Sequence, residues 1–281
     1  MLAAVKGVVQ RVARSAVPFP VRVEVARLRR AGRGLWDRRR TARLRLSEED
    51  AARFTYVLSS HRSPLRRASG TASERLQQGK EANVRLASSL IDRVVVQPHR
   101  VFSYHALVGR PSRLRGFRVG LELHNGEPSA GVGGGCCQVS NMLYWLALAD
   151  GMRIVERHRH NLDLFPDDHR TIPFGCGATV FFNYADLRFE NPMPAPVLVR
   201  LWIEAGMLNG ELRSESDPGW RFEVVERDHR FFREGDQWFR ENRIYRRLMA
   251  ADGSVEREQL IAHNIGRVLY DPEQAGCCEE R

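Results

Sequence analysis

The sequence lacks any uninterrupted apolar run close to the ~20 residues that a membrane-spanning helix requires, which excludes a helical span. It is poor in cysteine: the five present are Cys136, Cys137, Cys176, Cys277 and Cys278, too few and too unevenly placed for a disulfide scaffold. Two vicinal pairs supply no CxxC spacing, and adjacent thiols suit a tetrahedral metal site poorly, so no metal is expected. Proline (13) and glycine (23) are too sparse for a collagen-like or low-complexity chain of 281 residues. There is no GxxxxGKS/T loop, no GxGxxG after a strand, no HExxH and no GxSxG, and no cofactor is expected. Residues 1–20 lack a secretory apolar core, because Lys6, Gln10 and Arg11 interrupt it. With neither export signal nor span, the expected location is cytoplasmic or peripheral at the inner face of a membrane.

What is present is an ordinary globular composition, 43% hydrophobic and 28% charged, in a length that suits one large domain or two small ones at roughly 150 residues each. The net charge of +10 is unevenly spread. Residues 1–45 hold 13 Lys or Arg against only Glu24 and Asp37, a net of +11, so the remainder carries −1. The basicity belongs to an N-terminal arm, with Val5, Val8, Val9 and Val12 at helical spacing. Such an arm is either a solvated extension or a contact with an anionic membrane surface. Nucleic acid is disfavoured as a partner, since no base-reading motif accompanies the charge.

The pattern predicts an α+β fold in three parts: a basic, partly helical arm over 1–70, a core domain over 71–205, and a β-rich extension over 206–281. Thr71 and Glu74 read as a capping box for a helix to about Asp92. Strands are expected at 94–96 and 101–104, with an extended piece at 117–123. An apolar helix starts at Cys136 and stops at Asp150-Gly151. Strands at 153–160, 179–184 and 197–204 follow. An antiparallel meander over 221–232, 238–249 and 255–263 closes the chain, with a hairpin turn at Ala251-Asp252-Gly253.

The sharpest chemical feature is a triple glycine, Gly133-Gly134-Gly135, that delivers a cysteine to the start of a helix. Unpaired N–H groups and partial positive charge at a helix N-terminus favour a thiolate. The same donors can hold the oxyanion formed when a thiolate attacks a carbonyl. That suits acyl transfer through a thioester if a histidine base is within reach. His158 and His160 share one face of the expected 153–160 strand, and the spacing does not choose between them. Asn161, Asp163 and Asp186 could orient the imidazole. The alternative is a loop ending in buried thiols, since cysteine also packs as a small core residue. Cys176 reads as structural, and the arginines of 110–118 read as solvated charges or as a grip for a carboxylate.

Gly133-Gly134-Gly135-Cys136-Cys137-Gln138-Val139-Ser140 resembles the GGGxCQxS signature of the VanW family. Asn83-Val84-Arg85-Leu86-Ala87 and Val101-Phe102-Ser103-Tyr104 resemble its N-x-x-x-A and F-S-F/Y segments. Glu156-Arg157-His158-Arg159-His160 is similar to its histidine region, and Asp186-Leu187-Arg188-Phe189-Glu190-Asn191 to its D-L-R/K-F/V-x-N stretch. The likeness covers roughly residues 80–205. It implies L,D-transpeptidase-like acyl transfer on peptidoglycan peptides or precursors, with Cys137 as nucleophile and Cys136 at the variable position. His160 becomes the base, and the Gly135–Gln138 backbone the oxyanion site. The sequence departs from the family at Gly177, where many members have Asp, and in lacking an export signal. The rival implication is a non-catalytic accessory module that binds cell-wall precursors through the glycine loop or serves glycopeptide resistance.

Overall fold

The residues 136–149, CCQVSNMLYWLALA, offer no polar face, so a helix built from them has to be covered on nearly every side. In the structure, a computed structural model describing residues 40–66, 73–124, 127–159, 162–163, 166 and 171–275, this is what happens. The helix α4 (Cys136–Ala149; α1 to α3 are given below) buries Val139, Met142, Leu143, Tyr144, Leu146, Ala147 and Leu148 in the main core. At about 1.5–3 kcal/mol for each fully buried large apolar side chain, this segment is the centre of the fold's stability.

Two layers cover it. One is a four-stranded antiparallel sheet in the order β1 (Tyr56–Pro64), β10 (Met207–Ser214), β9 (Val197–Glu204), β2 (Val95–Val96). Gly210 lets α4 lie directly on β10, because a Cβ there would sit 2.8 Å from Met142 Cγ and 3.0 Å from Leu146 Cδ1. The other is α2 (Glu74–Ile91), whose inward face carries Asn83, Val84, Ala87, Ser88 and Ile91. Gly79 brings α2 against the hairpin of β4 (Val119–His124) and β5 (Glu127–Val132), since a Cβ would meet Val119 O at 1.9 Å. A three-stranded sheet, β3 (Val101–Ser103), β8 (Arg188–Glu190), β6 (Arg153–Glu156), stacks Phe102 on Phe189 with centroids 4.5 Å apart. The short helices α1 (Glu48–Ala51) and α3 (Tyr104–Val108) are N-capped by the Ser47 and Ser103 hydroxyls.

The C-terminal meander is as the alternation predicts, but longer: β11 (Arg221–Glu234), β12 (Gln237–Met249) and β13 (Val255–Val268) run antiparallel, and β7 (Leu162–Asp163) joins β13 in parallel. Gly253 takes the left-handed conformation in the 251–253 turn, at φ +83°. The fold is α+β, with the Cys-bearing helix packed on largely antiparallel strands.

Several sequence expectations change. Residues 41–46 and 56–64, read as part of the arm, belong to the body: Ala42 N donates to Val101 O (2.8 Å), and β1 pairs with β10 along its length. A strand ending in Arg-Ser-Pro with weak alternation gives little period-2 signal. Residues 1–39 of the arm, Thr71, and Cys277 and Cys278 lie outside the described residues. Ser73 caps α2 without a side-chain bond, and Glu74 pairs with Arg66 instead (2.8 Å). The expected strand over 153–160 stops at Glu156, because Arg157 turns inward over the Tyr144 ring, 4.4 Å from its centroid, and donates to Gly177 O (2.9 Å). The expected strand over 179–184 is a turn, with Asn183 at φ +57° and a bridge between Phe181 and Ala185.

Candidate functional site

The start of α4 is held by its glycines from behind. Gly135, the N-cap, sits at φ +99°, a conformation costly for any other residue, and a Cβ there would meet Lys80 Cγ at 2.5 Å. Gly134 packs on the Gly120 backbone, where a Cβ would be 2.3 Å from Gly120 O. Asn83 then clasps the loop: its Nδ2 donates to Gly134 O (2.9 Å) and Arg118 O (2.9 Å), and its Oδ1 accepts from Arg118 N (2.7 Å). Of the first-turn amides expected to face a ligand, Cys136 N–H already bonds Gly133 O (3.1 Å) and Gln138 N–H bonds Gly135 O (2.9 Å). Cys137 N–H has no such backbone bond among the described residues.

The signature side chains clamp one segment against this turn. Ser140 Oγ donates to Ala178 O (2.6 Å), Asn141 Oδ1 accepts from Ala178 N (2.7 Å), and Cys137 Sγ donates to Val180 O at 3.9 Å. Gln138 Nε2 donates to Ser63 Oγ (2.7 Å) and Pro64 O (2.8 Å), tying the helix to β1. Two buried polar atoms in this neighbourhood have no partner, Gln138 Oε1 and Thr179 Oγ1. Gly177, where many members carry Asp, leaves Asn141 Oδ1 at 3.0 Å from a would-be Cβ.

Cys137 is half-buried and Cys136 buried; both are free thiols. Burial pushes the Cys137 thiol up, and the Glu122 carboxylate adds to the effect. Burial carries Cys136 further, to about 12, against the opposing contact of the Tyr104 hydroxyl. Tyr104 is fully enclosed, its phenol raised well above the usual value by burial, and its hydroxyl donates toward Cys136 O at 3.5 Å.

His160 and Asn161 lie outside the described residues. His158 points away from the core and pairs with Glu156, Nε2 to Oε1 at 2.9 Å. Asp186 is buried beside β3 and α3; it accepts from Ser103 Oγ (2.6 Å) and His105 N (3.0 Å), and lies 3.8 Å from His105 Nδ1. Asp163 sits elsewhere, in the C-terminal sheet, bound by Arg240 Nη1 (3.0 Å) and Tyr270 OH (3.0 Å). Arg115 Nη1 donates to Val108 O and to Arg110 O (3.0 Å). Among the described residues, no cluster of three or more His, Cys, Asp or Glu is placed to hold a metal.

Sequence reasoning passed over His105. It follows the F-S-Y segment directly, accepts from Asn183 N at Nδ1 (3.4 Å), and packs on Phe182 with centroids 5.5 Å apart. It thus borders the 180–183 turn that faces Cys137. The available signal was its place directly after the F-S-Y segment. Chemically, the arrangement offers a protonated thiol at a helix start and, among the described residues, one amide without a backbone bond.

Residues 79–213 match the family described as VanW like protein. The chain is 35% identical over 126 residues to Uncharacterized protein YoaR of Bacillus subtilis (strain 168), covering 44% of this chain and 39% of that protein, less than half its length. It is 23% identical over 195 residues to Vancomycin B-type resistance protein VanW of Enterococcus faecalis (strain ATCC 700802 / V583), covering 69% of this chain and 71% of that protein. No solved structure matches.

Proposed function

Because residues 79–213 are a VanW-like domain, we propose that this chain carries out cysteine-dependent acyl transfer of the L,D-transpeptidase type on peptidoglycan peptides or their precursors. The observation that carries the reading is the half-buried Cys137 in the first turn of α4, its own N–H without a backbone bond among the described residues. The Cys137 amide suits the oxyanion. Cys137 loses its proton to a base, and the S–C bond forms at the substrate carbonyl. The amide C–N bond breaks, and the departing amine takes the proton back. An acceptor amine then attacks the thioester and restores the thiol. His160 is the base that the resemblance implies. His105 Nδ1 accepts a backbone hydrogen bond, which fits an imidazole with its proton on Nε2.

The raised thiol favours a second reading, a non-catalytic module that binds cell-wall precursors or takes part in the B-type vancomycin resistance for which the enterococcal relative is named. Incubation with a peptidoglycan stem tetrapeptide and mass spectrometry separates the two. The acyl-transfer reading expects a thioester adduct on Cys137 that Cys137→Ala abolishes. Peptide binding without an adduct, at equal affinity in the wild type and in Cys137→Ala, would establish the binding module instead.

A further inference from the structure

A cavity of about 260 Å³ opens between the last turns of α2, β9 and the chain around Arg45. Arg45, Arg85 and Arg93 line it, together with Ser88, Asp92 and Trp202. Arg45 is set in place by its neighbours, since Val95 N donates to Leu44 O (2.8 Å) and Leu46 N to Arg93 O (3.0 Å). Neither Arg45 nor Arg85 has a carboxylate partner among the described residues. Asp92 does not neutralise them, because its Oδ1 is taken by Arg200 Nε (3.1 Å) and Leu201 N (3.0 Å).

One buried donor at this cavity is orphaned. Ser88 is 2% exposed and its hydroxyl has no hydrogen-bond partner. Arg93 Nε makes no hydrogen bond, but two carboxylates, Glu48 and Asp92, each lie 3.4 Å from it and hold its charge. Arg93 is also held at φ +66°, a conformation that an L residue adopts at a cost. A buried donor without an acceptor is expensive, and Ser88 lines the same cavity as two exposed guanidinium groups that have no carboxylate partner among the described residues. What completes such a set is a compact anion with several acceptor oxygens, which guanidinium forks bind in bidentate fashion. The carbonyl end of α2 opposes an anion, but its partial charge is smaller than two whole positive charges.

We propose that this cavity binds a phosphate group, with Arg45 and Arg85 supplying the charge, Ser88 the buried donor, and Trp202 a wall for the moiety that bears the phosphate. The bearer is either a lipid headgroup or a soluble phosphate ester. The test is isothermal titration of the full chain with inorganic phosphate and with glycerol 1-phosphate. One saturable site is expected, weakened about tenfold or more in the Arg45→Ser/Arg85→Ser variant, in keeping with the loss of charge-assisted hydrogen bonds. Ser88→Ala is expected to weaken it severalfold, and the exposed Arg62→Ser to leave it unchanged. Flotation with phosphatidylcholine vesicles containing phosphatidylglycerol then assigns the source. Vesicle binding that falls in the double variant and is displaced by glycerol 1-phosphate identifies a lipid headgroup. Unaltered vesicle binding alongside lost phosphate binding identifies a soluble ester. Phosphate binding that is absent, unsaturable, or equal in the wild type and a folded double variant overturns the proposal.

Discussion

Replacing Asn83 with Ala removes the clasp that holds the glycine turn to α2 and to the β4 approach. Asn83 is fully buried and makes three hydrogen bonds at 2.7–2.9 Å. The bond to Gly134 O is buried, so its loss strands a carbonyl at about 1–3 kcal/mol, while Arg118 N and O are part-buried and regain water at about 0.5–1 kcal/mol each. The sum is about 3 kcal/mol. With a urea slope near 3 kcal/mol/M, at the top of the usual range, the midpoint should fall by about 1 M. The same substitution frees Gly134 and Gly135 to move, so alkylation of Cys137, mapped by mass spectrometry, should accelerate. Asn83→Asp should be no better, because a carboxylate cannot donate to the two carbonyls. A midpoint shift below about 0.3 M, less than the smallest cost of one stranded carbonyl, together with unchanged alkylation of Cys137, would refute the clasp.

Other perturbations test separate parts of the structure. Alkylation of Cys137 by iodoacetamide should rise with pH along a curve whose midpoint lies above that of an ordinary exposed thiol, because burial raises it; a midpoint at or below that value would mean a preformed thiolate. Asp150 is buried with Oδ2 unpartnered, and its carboxyl is raised well above the usual range by burial. The folded state therefore holds its proton more tightly than the unfolded state, and its contribution is lost as pH climbs past the ordinary carboxylate value. Asp150→Asn should accordingly raise the thermal midpoint at neutral pH and change little near pH 3; equal midpoints at neutral pH would contradict this. Asp163→Ala takes the carboxylate from the buried Arg240 at about 3–5 kcal/mol and should not change Cys137 reactivity, whereas an altered thiol profile would give Asp163 a role at the site. Gly79→Ala drives a Cβ into Val119 O and should cost about 3 kcal/mol, the upper end for overpacking, in chemical unfolding; a cost below 1 kcal/mol would show that α2 can shift from β4.

The helices and the meander were legible because their signals are local. The apolar run from Val139 to Leu148 and the stop at Gly151 mark α4, and alternation around Asp252-Gly253 marks β12 and β13. The segments that escaped are set by distant partners. β1 becomes a strand only because β10, some 150 residues later in the chain, offers it an edge. The 153–160 alternation breaks where Arg157 finds Tyr144 and the carbonyls of Gly175 and Gly177, contacts that no period reveals. At the site, the spacing located the cysteine turn. It could not show that Ser140 and Asn141 clamp Ala178, that Asn83 clasps Gly134, or that Asp163 joins the C-terminal sheet while Asp186 is buried beside β3 and α3.

These contacts also bear on what the signature is for. Gly134, Gly135, Gln138, Ser140 and Asn141 each have a structural duty, and together they fix Cys137 opposite Val180. A helix N-terminus stabilises negative charge by typically 0.3–1 kcal/mol at exposed positions. Here burial wins, since the thiol is raised and not lowered. A cysteine held protonated in a rigid turn is not a standing thiolate of the kind found in low-pKa redox motifs. If it attacks a carbonyl, proton removal has to accompany substrate arrival, so the rate must follow the titration of the base, not of the thiol. The pH profile of thioester formation should then break near the histidine range while alkylation by iodoacetamide breaks far above it. Coincident breaks would mean that Cys137 ionises unaided and that the clamp around it serves the fold alone.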